Sequence, residues 1–205
     1  MTNVAVIYYS STGSTHRLAQ AAASAAAEQG AEVRLRRVPE IAATGRPGSQ
    51  EHAAEAAGVP EATLEDLEWA DAVLLGSPVH FGLAAPQLMQ WINTTSSLSI
   101  HGKLLDKAVS AFASGSAEHG GQVTAILALH NAICHWGAVV VATGSADPVL
   151  YEKNNGNPYG ASTVAGDRIG FIHEENAGAI AYQTRRTIHV AAALKAARSA
   201  SVAAA

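Results

Sequence analysis

Cysteine is nearly missing from this chain: Cys134 stands alone among 205 residues. An intramolecular disulfide framework is therefore excluded, and a reducing compartment is expected. Cys134 itself reads as a small buried helix residue rather than a reactive thiol. Positive charge is scarce as well, with 13 Lys and Arg against 17 Asp and Glu and a formal net charge of −4. Such a balance offers no general attraction to a phosphate backbone or an anionic lipid surface, and the arginines cluster only at Arg34, Arg36 and Arg37. Nucleic-acid and membrane partners are not expected. No run of about 18 apolar residues exists to span a bilayer. The apolar "VAVIYY" near the N-terminus has no basic segment before it and is too short for the core of a signal peptide. With 48% hydrophobic and 15% charged residues, the expectation is one folded cytoplasmic domain over residues 1–205.

Short apolar runs alternate with long helical patterns. Candidate strands are residues 3–9, 31–38, 70–76, 107–114 and 138–144; candidate helices lie near 15–29, 84–97, 121–136 and 174–198. The first, third and fifth strands are almost wholly apolar, as parallel strands covered on both faces require. The second alternates, with Val33 and Leu35 opposed to Arg34 and Arg36, which suits an edge. Gly30 is placed to end the first helix in a left-handed turn, and the Ala-rich tail after Leu194 reads as a fraying helix end. Strand–helix alternation with short turns implies a doubly wound α/β domain with a five-stranded parallel sheet. Residues 39–63, with Gly45 and Pro47 among their breakers, read as a long loop or partly helical insertion, and residues 145–173 as a loop insertion. Loops of that length in a compact domain usually serve function or an interface.

The first loop, "SSTGST" (Ser10, Ser11, Thr12, Gly13, Ser14, Thr15), falls between the first strand and the first helix. In an open parallel sheet, that is where ligands bind. The helix N-terminus presents free N–H groups and a partial positive charge to an anion; the hydroxyls add donors. Neither G-x-x-x-x-G-K-[ST] nor G-x-G-x-x-G is present, so Mg-nucleotide and dinucleotide loops are not expected. One terminal phosphate, held without a cation, fits. The alternative is an ordinary turn, with Ser14 or Thr15 capping the helix.

Two more glycine-bearing loops end strands: "GSPVHFG" (76–82) and "ASGSAEHGGQ" (113–122). Facing the first loop, they would form a flat slot edged with backbone donors, suited to a planar heteroaromatic ring with a phosphate tail. Flavin mononucleotide (FMN) is such a ligand.

The stretches "VAVIYYSSTGST", "LLGSPVHFG", "FASGSAEHGGQ", "CHWGAVVVATG" and "NPYGASTVAG" resemble, in that order, the WrbA-type NAD(P)H:quinone oxidoreductases. The resemblance spans residues 4–170 and implies a flavodoxin-like three-layer sandwich. It implies that Ser10 through Thr15 bind the FMN phosphate. Pro78, Val79, His80, Phe81 and Gly82 would flank the ribityl chain and ring. Ser114, Gly115, Ser116, Ala117, Glu118, His119 and Gly120 would contact the pyrimidine side. It further implies that His135 lies close to the flavin of a neighbouring subunit or to the substrate pocket, within a homo-oligomer (dimer or tetramer). The chain departs from the family at Thr12, where an aromatic is usual, and at His80, where an arginine is. It also lacks the substrate-stacking tryptophan near Leu98–His101, and its third loop carries Glu118 and His119.

The implied reaction passes two electrons from NADH or NADPH through FMN to a quinone or similar aromatic acceptor. His80 and His135 are the candidate catalytic residues; His80, like His119, could protonate a reduced quinone oxygen near neutral pH. Nine histidines show no ligand spacing, and no metal is expected. Trp69, Trp91 and Trp136 read as core or subunit contacts, and Tyr159 as an interface anchor or a lid. The alternatives are a flavodoxin-like electron carrier serving a partner enzyme, and a family member adapted to one aromatic metabolite.

Overall fold

The computed structural model describes residues 1–42 and 48–203; Gly45 and Pro47 lie outside them. Strand β1 (Asn3–Tyr8) shows how the layers arise. Ala5 and Ile7 are buried in one cluster with Leu67, Leu88 and Ile126, and Val4, Val6 and Tyr8 in another with Leu18, Ala19 and Ile180. A strand covered on both faces needs apolar residues at every position, and "VAVIY" supplies them.

From β1 the chain enters α1 (Ser14–Glu28) and returns through β2 (Glu32–Arg37). Helices α2 (Ser49–Ala56) and α3 (Leu64–Trp69) lead to β3 (Ala72–His80), the two-residue β4 (Leu83–Ala84), α4 (Pro86–Asn93) and α5 (Ser96–Ile100). Then follow β5 (Ala108–Gly115), α6 (Gln122–His135), β6 (Val139–Val140), a 3-10 turn (Pro148–Tyr151), β7 (Ser162–Val164) and α7 (Glu174–Ala203). The main sheet runs β2-β1-β3-β5-β6, parallel throughout. Helices α1 and α7 cover one face; α3, α4 and α6 cover the other.

Four expectations change. The fifth strand, expected over 138–144, pairs with β5 only at Val139 and Val140. The same edge is resumed by β7, with Ala113 opposite Ser162 and Gly115 opposite Val164. The 145–173 segment therefore interrupts an outer strand and then completes it. Gln183 of α7 fixes the rejoining point, donating to the Ala111 carbonyl at 2.8 Å and accepting from the Ala161 amide at 2.6 Å. The helix expected over 84–97 is two helices, α4 and α5, and the supposed frayed tail stays helical to Ala203. Cys134 is exposed, not buried: Ile133 faces the sheet, and the next residue sits about 100° further round.

The arginine cluster is taken up locally. Arg34 and Arg36 of edge strand β2 reach Asp66 at 3.1 and 2.9 Å, and Arg37 reaches Glu61 at 3.0 Å. Burial alone would raise the Asp66 carboxyl, but hydrogen bonds from Arg36, Thr63 and Arg34 hold it below its ordinary value. Trp91 and Trp136 are core residues, each with its indole N–H satisfied, by the Ala62 carbonyl and the Thr95 hydroxyl. Gly76 leaves room for the Phe112 ring, since a Cβ there would stand 2.2 Å from Phe112 Cζ. Gly76→Ala is predicted to lower stability by about 1–3 kcal/mol through overpacking, measured as a lower urea midpoint at unchanged slope.

Candidate active site

Strands β1, β3, β5 and β7 end on one side of the sheet, where their loops converge. Gly13 precedes α1 at φ 102°, a left-handed conformation that suits glycine, and no side chain caps the helix. The first-turn amides of α1 thus have no intrahelical acceptor. Neither Ser14 nor Thr15 caps the helix, as the alternative of an ordinary turn would require. Thr15 Oγ1 pairs with Ser114 Oγ at 2.7 Å, tying the first loop to the end of β5. Ser14 Oγ is buried without a partner and lines the cleft. Ser10 Oγ accepts from the Gly13 amide at 3.1 Å, and the Thr12 carbonyl accepts from Gly170 at 2.7 Å.

The cleft measures about 400 Å³. Of the residues expected there, it gathers Ser11, Thr12 and Ser14 with Pro78, Val79, Ser114, Gly115 and Ser116. Ser10, Gly13 and Thr15 back the first loop rather than line it. His80 stands behind the rim, its Nε2 3.1 Å from Ser11 Oγ. Phe81 is fully exposed and Gly82 packs against Gly121, so neither enters the cleft of a single chain. Ala117 and Gly120 shape the turn into α6, the Ala117 carbonyl accepting from Gly120 and from Gln122 Nε2. Glu118 and His119 are exposed. His135 is exposed at the far end of α6, about 20 Å of helix from the loop that opens it. Within one chain it does not meet the cleft.

The sequence reading missed the fourth wall, Ala165 through Ile169. Its signal was the "NPYGASTVAG" stretch, but β7 is only three residues long and gives no periodicity to reveal a strand end. This wall carries Arg168, whose guanidinium lies 3.2 Å from the centroid of Phe171.

A hydrogen-bonded chain leads away from the rim. Ser11 Oγ lies 3.5 Å from the Tyr9 hydroxyl, Tyr9 donates to Glu40 at 2.5 Å, and Gln87 also donates to Glu40. Burial would raise the Glu40 carboxyl; bonds from Tyr9, Gln87 and the Ile41 and Ala42 amides hold it low. Among the described residues no cluster of three or more metal-capable side chains occurs. A buried Ser14 hydroxyl without a partner and an uncapped helix, beside a cleft that Gly115 and Ser116 also line, form a donor set that fits FMN.

Residues 2–147 match the family described as NADPH-dependent FMN reductase. The chain belongs to that family. A NAD(P)H dehydrogenase (quinone) of Deinococcus radiodurans is 40% identical over 195 residues, covering 93% of this chain and 96% of that protein. Its counterpart in Geobacter sulfurreducens is 38% identical over 201 residues, covering 94% and 98%. In fold, this reductase-family chain resembles a WrbA-like flavodoxin of Agrobacterium tumefaciens, with TM-score 0.60, 19% identity and 95% and 98% coverage. RosB with its bound intermediate gives TM-score 0.66 at 14% identity, covering 95% of this chain and 81% of that one.

Two histidines of this family member lie beneath the first loop. His16 of α1 and His52 of α2 are buried with ring centroids 5.3 Å apart. Burial lowers both below the ordinary histidine value, and Glu55 partly opposes this. Between their folded-state values and about 6.5 the unfolded chain therefore binds more protons, so acidification through that window removes stability. The ligand-free protein is predicted to lose melting temperature between about pH 7 and pH 5.5. His52→Gln is predicted to flatten the slope of that loss, as followed by circular dichroism.

Proposed function

We propose that the chain is an FMN-dependent oxidoreductase that passes two electrons from NADH or NADPH to a quinone or similar aromatic acceptor. The observation that carries this reading is the uncapped α1 N-terminus with the partnerless Ser14 hydroxyl, set beside a slot edged by Gly115 and Ser116. FMN, when bound, supplies the hydride and electron chemistry. The protein's own groups bind and orient. Ser14, Thr12 and the first-turn amides of α1 hold the phosphate, and Pro78 and Val79 give the slot an apolar wall. Gly115 and Ser116, which line the cleft, would meet the pyrimidine edge of the ring, and polar groups fixed there would stabilise developing negative charge without reorganising. His80, hydrogen-bonded to Ser11, is the proposed proton donor to the acceptor's oxygen.

His135 belongs to this reading only through a neighbouring copy in a homo-oligomer, dimer or tetramer. Exposed Phe81, Leu83, Val123 and Leu127, on and around the start of α6, support a covered face there. A cytoplasmic setting is proposed on the single unpaired thiol and on the lack, among the described residues, of a helix able to cross a membrane.

Ser14→Ala is predicted to weaken FMN binding by about 0.5–1.5 kcal/mol, one hydrogen bond's worth, as read by flavin fluorescence titration. Anaerobic NADH or NADPH is predicted to bleach the yellow protein and a quinone to restore the colour. A flavin reducible by dithionite but by neither nucleotide would instead mark an electron carrier.

A further inference from the structure

The first loop carries neither lysine nor arginine, yet it is built for an anion. Of the nearby guanidiniums, Arg17 pairs with Glu55 at 2.7 Å, and Arg168, in the facing wall of the cleft, stacks on Phe171 and donates its Nε to the Ala165 carbonyl. What lies against the loop from beneath is a pair of imidazoles. Resting on the FMN reading above, we propose that the buried His16–His52 pair is the cationic element of this anion site. It takes up a proton when a phosphate monoester dianion occupies the Ser10–Thr15 loop, and so selects phosphorylated over unphosphorylated flavin.

The atoms available support this. The His52 ring hydrogen-bonds to the Ser10 backbone, while its Nδ1 is buried without a partner. With the other nitrogen donating to the Ser10 carbonyl, Nδ1 is a bare lone pair, an open place for a proton. That Nδ1 stands 3.5 Å from where a Cβ on Gly13 would be, hard against the phosphate loop. His16 occupies the first turn of α1. Its Nδ1 is 2.5 Å from the Tyr8 hydroxyl and its Nε2 also lacks a partner. Burial pushes the Tyr8 phenol up to about 12, so it stays protonated and can turn to accept from His16.

The charged groups facing the pair are few. Arg17 comes from α1 and Glu55 from α2; Tyr8 comes from β1, with Arg37 of β2 acting on it. Asp167 and Arg168 flank the cleft on the segment whose Gly170 touches Gly13. With the cleft empty of anions, burial keeps both rings neutral. A dianion on the loop favours the charged form of either ring, and like-charge repulsion between rings at 5.3 Å limits the pair to one proton. By linkage, FMN binding must then strengthen as pH falls, until the empty protein also holds the proton. Selection of the dianion of the ligand's phosphate, with a second pKa of about 6, acts in the opposite direction, and the histidine variants separate protons taken up by the pair from protons taken up by the phosphate.

Calorimetric titration of the flavin-free protein near pH 7, in buffers of differing ionisation enthalpy, measures protons taken up per flavin. The expected result is uptake of about half to one proton with FMN and none with riboflavin. His52→Gln and His16→Gln should lose the uptake and reduce the preference for FMN over riboflavin about tenfold, one unit of charge-coupled affinity. If neither variant folds, phosphorus NMR of FMN bound to the unaltered protein decides: protons taken up while the phosphate stays dianionic support the pair, and a phosphate that itself gains the proton overturns it. FMN binding without proton uptake, or uptake unchanged in both folded variants, overturns the inference and leaves the cofactor reading standing. Failure of FMN to bind at any pH overturns both.

Discussion

An α-helix that begins at a left-handed glycine and receives no side-chain cap leaves its first-turn amides facing whatever lies ahead of it. In this chain that helix is α1, and much of the molecule is arranged around its open end. The double-sided burial of β1 fixes where the loop emerges. Thr15 and Ser114 lock it to the end of β5, and the Gly170–Thr12 hydrogen bond lays the segment after β7 across it. Helix α2 brings His52 underneath. Each contact shapes the loop while leaving the Ser14 hydroxyl without a partner, and that is the condition of a site made for a ligand rather than for stability.

The rim beside it is organised on a different principle. His80, Ser11, Tyr9, Glu40 and Gln87 form a connected polar chain in which Glu40 is held as a carboxylate by donors alone. Polar groups satisfied in this way are rigid and keep their orientation. A fixed rim beside the uncapped start of α1 suits a protein whose bound cofactor does the chemistry and whose own residues hold it in place.

Much of this was legible in the residues. The apolar stretch from Val4 to Tyr8 and the alternation in β2 are local signals, read correctly because each element carries its own period; Gly76, expected to open a loop, lies inside β3, which runs on to His80. The position of the "SSTGST" loop between β1 and α1 was legible from the apolar run before it and the helical pattern after it. What escaped depends on distant partners. Strand β6 is too short to declare itself, and β7 forms only because Gln183, far along the chain, fixes Ala161 against Ala111. Arg168 entered the cleft unseen for the same reason. His16 and His52 are 36 residues apart in sequence and look like ordinary helix-surface histidines until α2 packs on α1. His135 is the opposite case: the family resemblance nominates it, while the single-chain geometry sets it at the far end of α6.

Everything turns on where the phosphate sits, and a crystal structure of the FMN-soaked protein tests that most directly. Phosphate density at the start of α1, accepting hydrogen bonds from Ser14 Oγ and the first-turn amides, is the predicted result. Flavin density with its phosphate on Arg168 or elsewhere, and the Ser14 hydroxyl still without a partner, would contradict it.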